Sequence, residues 1–416
     1  MKKPHFILII TVSLAILGTS SAALATTTPS YADLYEEIVE IVEAHFYNPV
    51  QIIKDFPAIR DAYRKQLPQI STRKAFSSLV NTMLGELKAS HTYYLTTEDY
   101  EYYQLAALFS QIPSIGGLFE AQNVLYPTVG IITQSFKKKV HIVSVLSGSI
   151  AEKAGLLKGD EIQSVNGKPY TPIASLRPFI GNDVSFEIRR QARAEPFKIV
   201  MKPVLVNPKQ EMLEAQKASA RIIKRAGKRI GYIHIYSYAG DEYHQELLNA
   251  LIWGELRKAD ALIIDLRYGL GGAWPYYLNL FNQDIPALEM IDKHGKKTTV
   301  DSQWRKPAAY LVNGFSRSGK ELLAFGARKY HTATVIGERT PGQTLGGRLF
   351  PLSNNDMLFL AVKSSRIDGV NLEGVGVEPD IEVPFDVRYC SGHDVQLEKA
   401  VEHLIGRLPV ESKPVR

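Results

Sequence analysis

The stretch "ALIIDLRYGLGG" at residues 261–272 opens with five apolar residues in six and closes on three glycines in four. So short an apolar run, bounded by glycine, predicts a strand buried on both faces rather than a helix. Its Gly-rich end would leave backbone N–H groups free to point into a cleft, which is what stabilising a developing oxyanion requires. A tight turn or a phosphate loop would read the same way, although the Lys-Ser/Thr of a P-loop is missing.

Working outward, "KRIGYIHIYSYA" (228–239) alternates as a strand and precedes a helix over 242–257. Downstream come "AAYLVNG" (308–314), a second helix, "TATVIGE" (332–338), and strands near 348–353 and 357–362. Strands alternating with helices predict an α/β layered domain. Between "AAYLVNG" and its helix lies "FSRSGKELL" (315–323), where a strand turns into a helix through two serines. A serine at such an elbow sits at the positive end of a helix dipole and is exposed at the top of a sheet. Taken alone, either Ser316 or Ser318 reads equally well as a helix cap.

The remainder of the 416 residues is too long for a single core, so two or three domains are expected. "MKKPHFILIITVSLAILGTSSAALA" (1–25) has a basic start, an apolar run from Phe6 to Gly18 and Ala23-Leu24-Ala25 at its end. That is the pattern of a cleaved export signal, with an uncleaved anchor as the alternative; the run is short for a bilayer span. No cysteine lies near the cleavage point, which argues against lipid anchoring. Losing Lys2 and Lys3 lowers the net charge from +6 to +4, too little and too dispersed to suggest nucleic-acid binding. Cys390 is the only cysteine, which excludes an intrachain disulfide and a thiolate metal cluster. "YADLYEEIVEIVEAHFYNPV" (31–50) and runs near 55–66 and 71–88 carry helical periodicity, giving an N-terminal helical domain over 26–110. A further helix is expected over 208–224.

The segment "AEKAGLLKGDEIQSVNG" (151–167), flanked by strand-like 129–133 and 140–145, closely resembles a PDZ domain, here spanning 118–206. The resemblance places Thr128, Val129, Gly130 and Ile131 in the loop that binds a peptide's terminal carboxylate. A small β domain of another kind is the alternative. With this unit upstream, the ordered series "IGYIHIYSY", "ALIIDLRYGLGG", "AAYLVNGFSRSGKELLAFG", "TATVIGERTPG" and "NLEGVGVEPDIEVP" resembles the C-terminal-processing (tail-specific) peptidases and their tricorn-type relatives. The resemblance implies an α+β multidomain chain: the helical domain, the PDZ-like β domain, a ClpP/crotonase-like layered core over 212–386 and a helical extension over 387–416. It implies Ser318, three residues before Glu321, as nucleophile, with Ser316 as a turn residue. Oxyanion donors would be the Gly319 amide and that of Gly271 or Gly272.

Tail-specific enzymes draw the serine proton with a lysine. The matching position here is Gln343, which cannot accept a proton. Tricorn-type relatives use a histidine from the N-terminal region, and "LKASHTYYL" (87–95) supplies His91, with Ser90 as its hydrogen-bonding partner. Glu373 matches the orienting acid, with Asp368 and Glu378 nearby. Lys320 is a rival base, but i,i+2 side chains diverge by about 200° on a helix, and it is expected to be solvated. The resemblance therefore implies an exported, periplasmic serine endopeptidase without metal or organic cofactor, acting on protein or peptide substrates and able to assemble with copies of itself. A non-catalytic peptide- or ligand-binding member of the family is the alternative, with Gln343 as its mark.

Overall fold

The computed structural model describes residues 29–409; the leader assigned to 1–25 lies outside them. Helix α1 (Tyr31–His45) starts at Ser30, whose hydroxyl accepts the Asp33 N–H while Asp33 accepts the Ser30 N–H, a reciprocal cap that satisfies two end groups at once. Its face of Leu34, Tyr35, Ile38, Val39 and Val42 packs on Phe76, Val80 and Met83 of α2 (Arg73–Gly85). The next element is a short strand, β1 (Tyr93–Leu95), followed by α3 (Tyr100–Leu108).

Strands β2 (Ile131–Phe136), β3 (Lys139–Val145), β4 (Glu161–Val165), β5 (Val184–Arg189) and β6 (Phe197–Met201) form an antiparallel sheet in sequence order. Val184, Phe186 and Ile188 point inward at the strand period, onto Leu156, Ile162 and Met201. A neck of paired segments, Tyr126–Thr128 against Val204–Val206, joins this unit to the rest. Between β4 and β5 the chain forms only one 3₁₀ turn, Arg177–Phe179.

Helix α4 spans Pro208–Ser219 and stops short of the expected 224. Residues Arg221–Arg225 instead form β7, which turns through Ala226 and Gly227, both at positive φ, into β8 (Lys228–His234). That backbone favours a tight hairpin over helix. Helix α5 (Asp241–Ile252) likewise ends before 257, and a 3₁₀ turn follows from Glu255. The central strand β9 (Ala261–Asp265) is buried throughout, flanked in parallel by β8 and by β10 (Ala308–Val312). Strand β11 (Thr334–Gly337) and a short β14 (Ile381–Glu382) complete the sheet. Helices α5 and α6 (Gly319–Lys329) cover one face, and α7 (Val395–Arg407) covers the other through Ala400, Val401 and Leu404.

The N-terminal helices share their core with strands from the far end of the chain. Strand β1 pairs with β13 (Met357–Lys363), which pairs with β12 (Gly346–Pro351), and the helices share one core with Leu345, Phe350, Leu358 and Leu360. A few short helices alone could not bury this much apolar surface, so strands from the far end of the chain complete the core. Among the described residues no helix is long and apolar enough to cross a membrane.

Just beyond β9, Arg267 is only 2% exposed and holds both oxygens of Asp265 (2.9 and 2.6 Å) and of Asp394 (2.9 and 2.8 Å). Lys158 of the β2–β6 unit reaches the same Asp394 at 2.6 Å. Backbone bonds from Tyr389 to Gly159 and from Gly392 to Lys158 continue the attachment. Burial alone would raise the Asp265 and Asp394 carboxyls, but the Arg267 charge outweighs it and holds both well below the carboxylate range. Arg267→Met should cost about 3–5 kcal/mol, because two buried carboxylates lose their main partner. A urea midpoint equal to that of the unaltered protein would show that the network carries no stability.

Candidate active site

Strand β10 ends at Val312 and the chain reverses into α6 within six residues. Ser316 is fully buried in that turn: its hydroxyl accepts the Asn313 N–H at 3.0 Å and donates to the Leu266 carbonyl at 3.1 Å. It is a structural residue and faces no cleft. Ser318 has φ 57° and ψ −126°, a backbone conformation that a β-carbon makes costly and that persists only where surroundings enforce it. The enforcement is visible. The Ser318 N–H donates to the Gln343 carbonyl at 2.9 Å and to Glu321 at 3.2 Å. Glu321 in turn accepts Thr340 Oγ1 and the amides of Gly342 and Gln343 at 2.6–2.7 Å.

Gly271 lies against the same elbow, where a β-carbon would stand 2.6 Å from Ser318 Cβ. No other residue fits there. Among the described residues no hydrogen bond uses the amides of Gly271, Gly272 or Gly319. Gly319 is the first residue of α6, where an amide has no partner within the helix.

His91 comes from the turn between α2 and β1, at φ 54°. Its Nδ1 is 3.0 Å from Ser90 Oγ, and Ser90 Oγ donates to Glu373 Oε2 at 3.0 Å. Glu373 also accepts the Ser90 amide at 2.9 Å and the Thr344 and Leu345 amides at 2.8 and 3.3 Å. A hydroxyl has one proton. Since Ser90 gives it to Glu373, Nδ1 must donate to Ser90, which leaves the lone pair on Nε2. The acid therefore fixes the His91 tautomer through Ser90, without touching the ring. Of the other two acids, Asp368 pairs with Lys329 and Glu378 with Arg339, both on the surface.

His91 and Ser318 line one cavity of about 160 Å³, together with Gly271 and Gly272. Arg317 and Glu101, joined at 2.6 Å, line it too. Nothing in the sequence marks Glu101, whereas Arg317 is marked only by its place next to Ser318. Thr128, Val129, Gly130 and Ile131 lie elsewhere. The first three border a separate cavity of about 410 Å³ facing Glu211 and Glu214 of α4. The Gly130 amide there is already taken by Thr128 Oγ1 at 2.8 Å.

Lys320 is a correction. It does diverge from Ser318, but into the sheet and not into water: it is fully buried and donates to the carbonyls of Tyr268 (2.5 Å) and Tyr236 (3.3 Å). Burial pulls its pKa down to about 7, against the opposing charge of Asp265.

Residues 229–383 match the model of peptidase family S41, 28–85 that of the tricorn protease C1 domain, and 141–190 that of the PDZ domain. Residues 229–383 are a peptidase family S41 domain. The chain is a serine-type peptidase. It is 24% identical to the carboxyl-terminal-processing protease of Synechocystis sp., over 96% of this chain and 92% of that protein. It is also 24% identical to the carboxy-terminal processing protease CtpB of Bacillus subtilis, over 85% and 71%. With the tricorn protease of Thermoplasma volcanium it shares 23% identity, over 91% of this chain but 36% of that protein. In fold it is similar to the solved tricorn protease (TM-score 0.54, 17% identity, 91% of this chain and 37% of that one). Mature CPAF is similar as well (TM-score 0.51, 13% identity, 91% and 99%).

Within this S41 peptidase, burial lowers the His91 pKa to about 4, with Arg317 acting in the same direction and Glu101 and Glu373 opposing. The free imidazole has a pKa near 6.5 and the folded one near 4, so His91 favours the fold fully above pH 6.5, and that contribution is lost as pH falls toward 4. Nitrogen-15 NMR of the imidazoles should show His91 neutral, protonated at Nδ1, from pH 8 to about 5. A midpoint near 6.5 would contradict the buried placement.

Proposed function

We propose that this S41 peptidase is an exported endopeptidase in which Ser318 attacks the peptide carbonyl, His91 is general base and then general acid, and Glu373 orients His91 through Ser90. The observation that carries the reading is the relay Glu373–Ser90–His91, whose histidine lines the same cavity as the strained Ser318. Among the described residues Ser318 and His91 share no hydrogen bond; such bonds at catalytic sites are often long before substrate binds.

In the first step His91 Nε2 takes the Ser318 proton as Oγ bonds to the carbonyl carbon. Negative charge collects on the carbonyl oxygen, where the amides of Gly319 and of Gly271 or Gly272 are placed to meet it. The imidazolium then gives its proton to the departing amine as the C–N bond breaks, leaving an ester on Ser318. Water repeats the sequence: His91 takes its proton, the ester is cleaved, and Ser318 regains its hydrogen. Neutral His91 is the form this needs, and a base with lowered pKa stays competent into mildly acidic solution. Gln343 takes no part in proton transfer; its backbone carbonyl holds the elbow and its amide holds Glu321. The PDZ-like unit, through the turn at Thr128–Ile131, would hold the C-terminal end of a substrate, in a periplasmic or extracellular setting.

A fluorophosphonate probe should label the protein and not the Ser318→Ala variant; labelling that persists in that variant would sink the nucleophile assignment. His91→Ala should lower kcat/KM by about 10²–10⁴-fold, the usual weight of a general base. Glu373→Gln and Ser90→Ala should each cost a comparable factor by releasing the wrong tautomer, with KM nearly unchanged. Full activity in His91→Ala would remove the proposed base.

A further inference from the structure

Two cavities meet at a single ion pair. The inner one, about 160 Å³, is lined by Ser318, His91 and Tyr93 and by apolar side chains, among them Leu105, Phe109 and Phe359. The outer one, about 430 Å³, is walled by Phe315 and Gln343 on the peptidase side and by Ile132, Thr133 and Gln134 of β2 on the other. Arg317 and Glu101 line both. Arg317 donates to Glu101 Oε1 at 2.6 Å, and Tyr93 OH donates to the same oxygen at 2.6 Å. Both charged side chains are about three-quarters buried.

The outer wall has a particular shape. Successive residues of a strand point to opposite faces, so three consecutive ones bordering one cavity bring it to the strand's edge, and at Val143 it also reaches β3. Strand β2 is an edge strand that pairs with β3 alone. Its free backbone therefore faces the outer chamber and can take an extended peptide as an added strand. The inner chamber is much smaller than the roughly 300–1,000 Å³ of sites that enclose whole small molecules, and has room for one side chain. The two charges on its wall cancel each other. A charged side chain entering it would lose its water and find no unpaired partner, which is strongly unfavourable.

We propose that Arg317 and Glu101 are the specificity-determining partition of this cleft: they close an inner chamber that admits one uncharged substrate side chain smaller than an indole beside Ser318, while the adjoining chain lies extended along β2 in the outer chamber. The inference rests on the reading of Ser318 as the nucleophile. Because Arg317 immediately precedes Ser318, and Glu101 belongs to the N-terminal segment that also delivers His91, the partition spans both halves of the site. Breaking it on one side leaves the other charge exposed to the substrate, so the two breaks must favour opposite substrates.

End-blocked peptides that differ only in the residue whose carbonyl is attacked (Leu, Asp, Lys or Trp) test this. Their affinities are measured by fluorescence anisotropy on full-length Ser318→Ala protein, and kcat/KM is measured on protein that retains Ser318. The Leu peptide should bind at least tenfold tighter than the other three. Adding Glu101→Gln should raise the Asp:Leu affinity ratio at least tenfold, and adding Arg317→Met should raise the Lys:Leu ratio by as much. The exchanged pair, Arg317→Glu with Glu101→Arg, should bring back the preference for Leu, which a merely loosened fold would not do. Equal ratios in all variants, a shift of both single variants in the same direction, or no binding of any peptide would overturn the partition. Binding that follows the expected pattern without fluorophosphonate labelling of Ser318 would uphold the partition and remove the nucleophile reading instead.

Discussion

A guanidinium removed from water must have its charge and its five N–H groups met by protein, and Arg267 is met by Asp265, Asp394 and Gln396. Those partners come from the central strand and from the start of the last helix, and Lys158 adds the PDZ-like unit to the same carboxylate. The loop that follows Arg267 inherits this fixity. Its carbonyls are drawn inward: that of Arg267 meets His234 Nε2 at 2.7 Å, and that of Tyr268 meets Lys320. Gly271, three residues further on, lies against Ser318. Thus Arg267 and Lys320, two buried cations, hold the loop that carries the proposed oxyanion donors.

The two side chains proposed to react reach the cleft on separate structures. Ser318 is presented by the parallel sheet, whereas His91 is presented by a turn that belongs to the N-terminal helices. Strand pairing of β1 with β13, Tyr93 opposite Phe359, is what brings the second structure to the first. Glu373 fastens the join, because one carboxylate accepts the Ser90 amide and the amides of residues 344 and 345. The acid is therefore a positioning group for backbone as much as for the imidazole.

The strands and the elbow were legible because their signals are local. Buried runs such as ALIID read as strands on composition, whereas Ser318 is told from Ser316 only by the family resemblance, which implies a nucleophile three residues before Glu321. What was not legible depends on long-range packing. The periodicity of residues 208–224 continues helical past Ser219, and only pairing with β8 turns 221–225 into a strand. Lys320 looks like any surface lysine in sequence; the sheet beneath α6 decides that it is buried. Glu101 has no neighbouring signal at all, since its partner Arg317 lies 216 residues away. Ser90 was legible as a member of the network, but its place between Glu373 and His91 depends on where its one proton points.

The bond between Ser90 and Glu373 closes a separation of 283 residues, and the Arg267 hub is complete only when Asp394 is in place. Contacts so distant in sequence form late, after the loop-closure entropy between them has been overcome. A chain emerging in order from the ribosome thus carries His91 and Ser318 before Glu373 is available to complete the relay. On the proposed mechanism, hydrolytic competence would arrive only with the last tenth of the polypeptide.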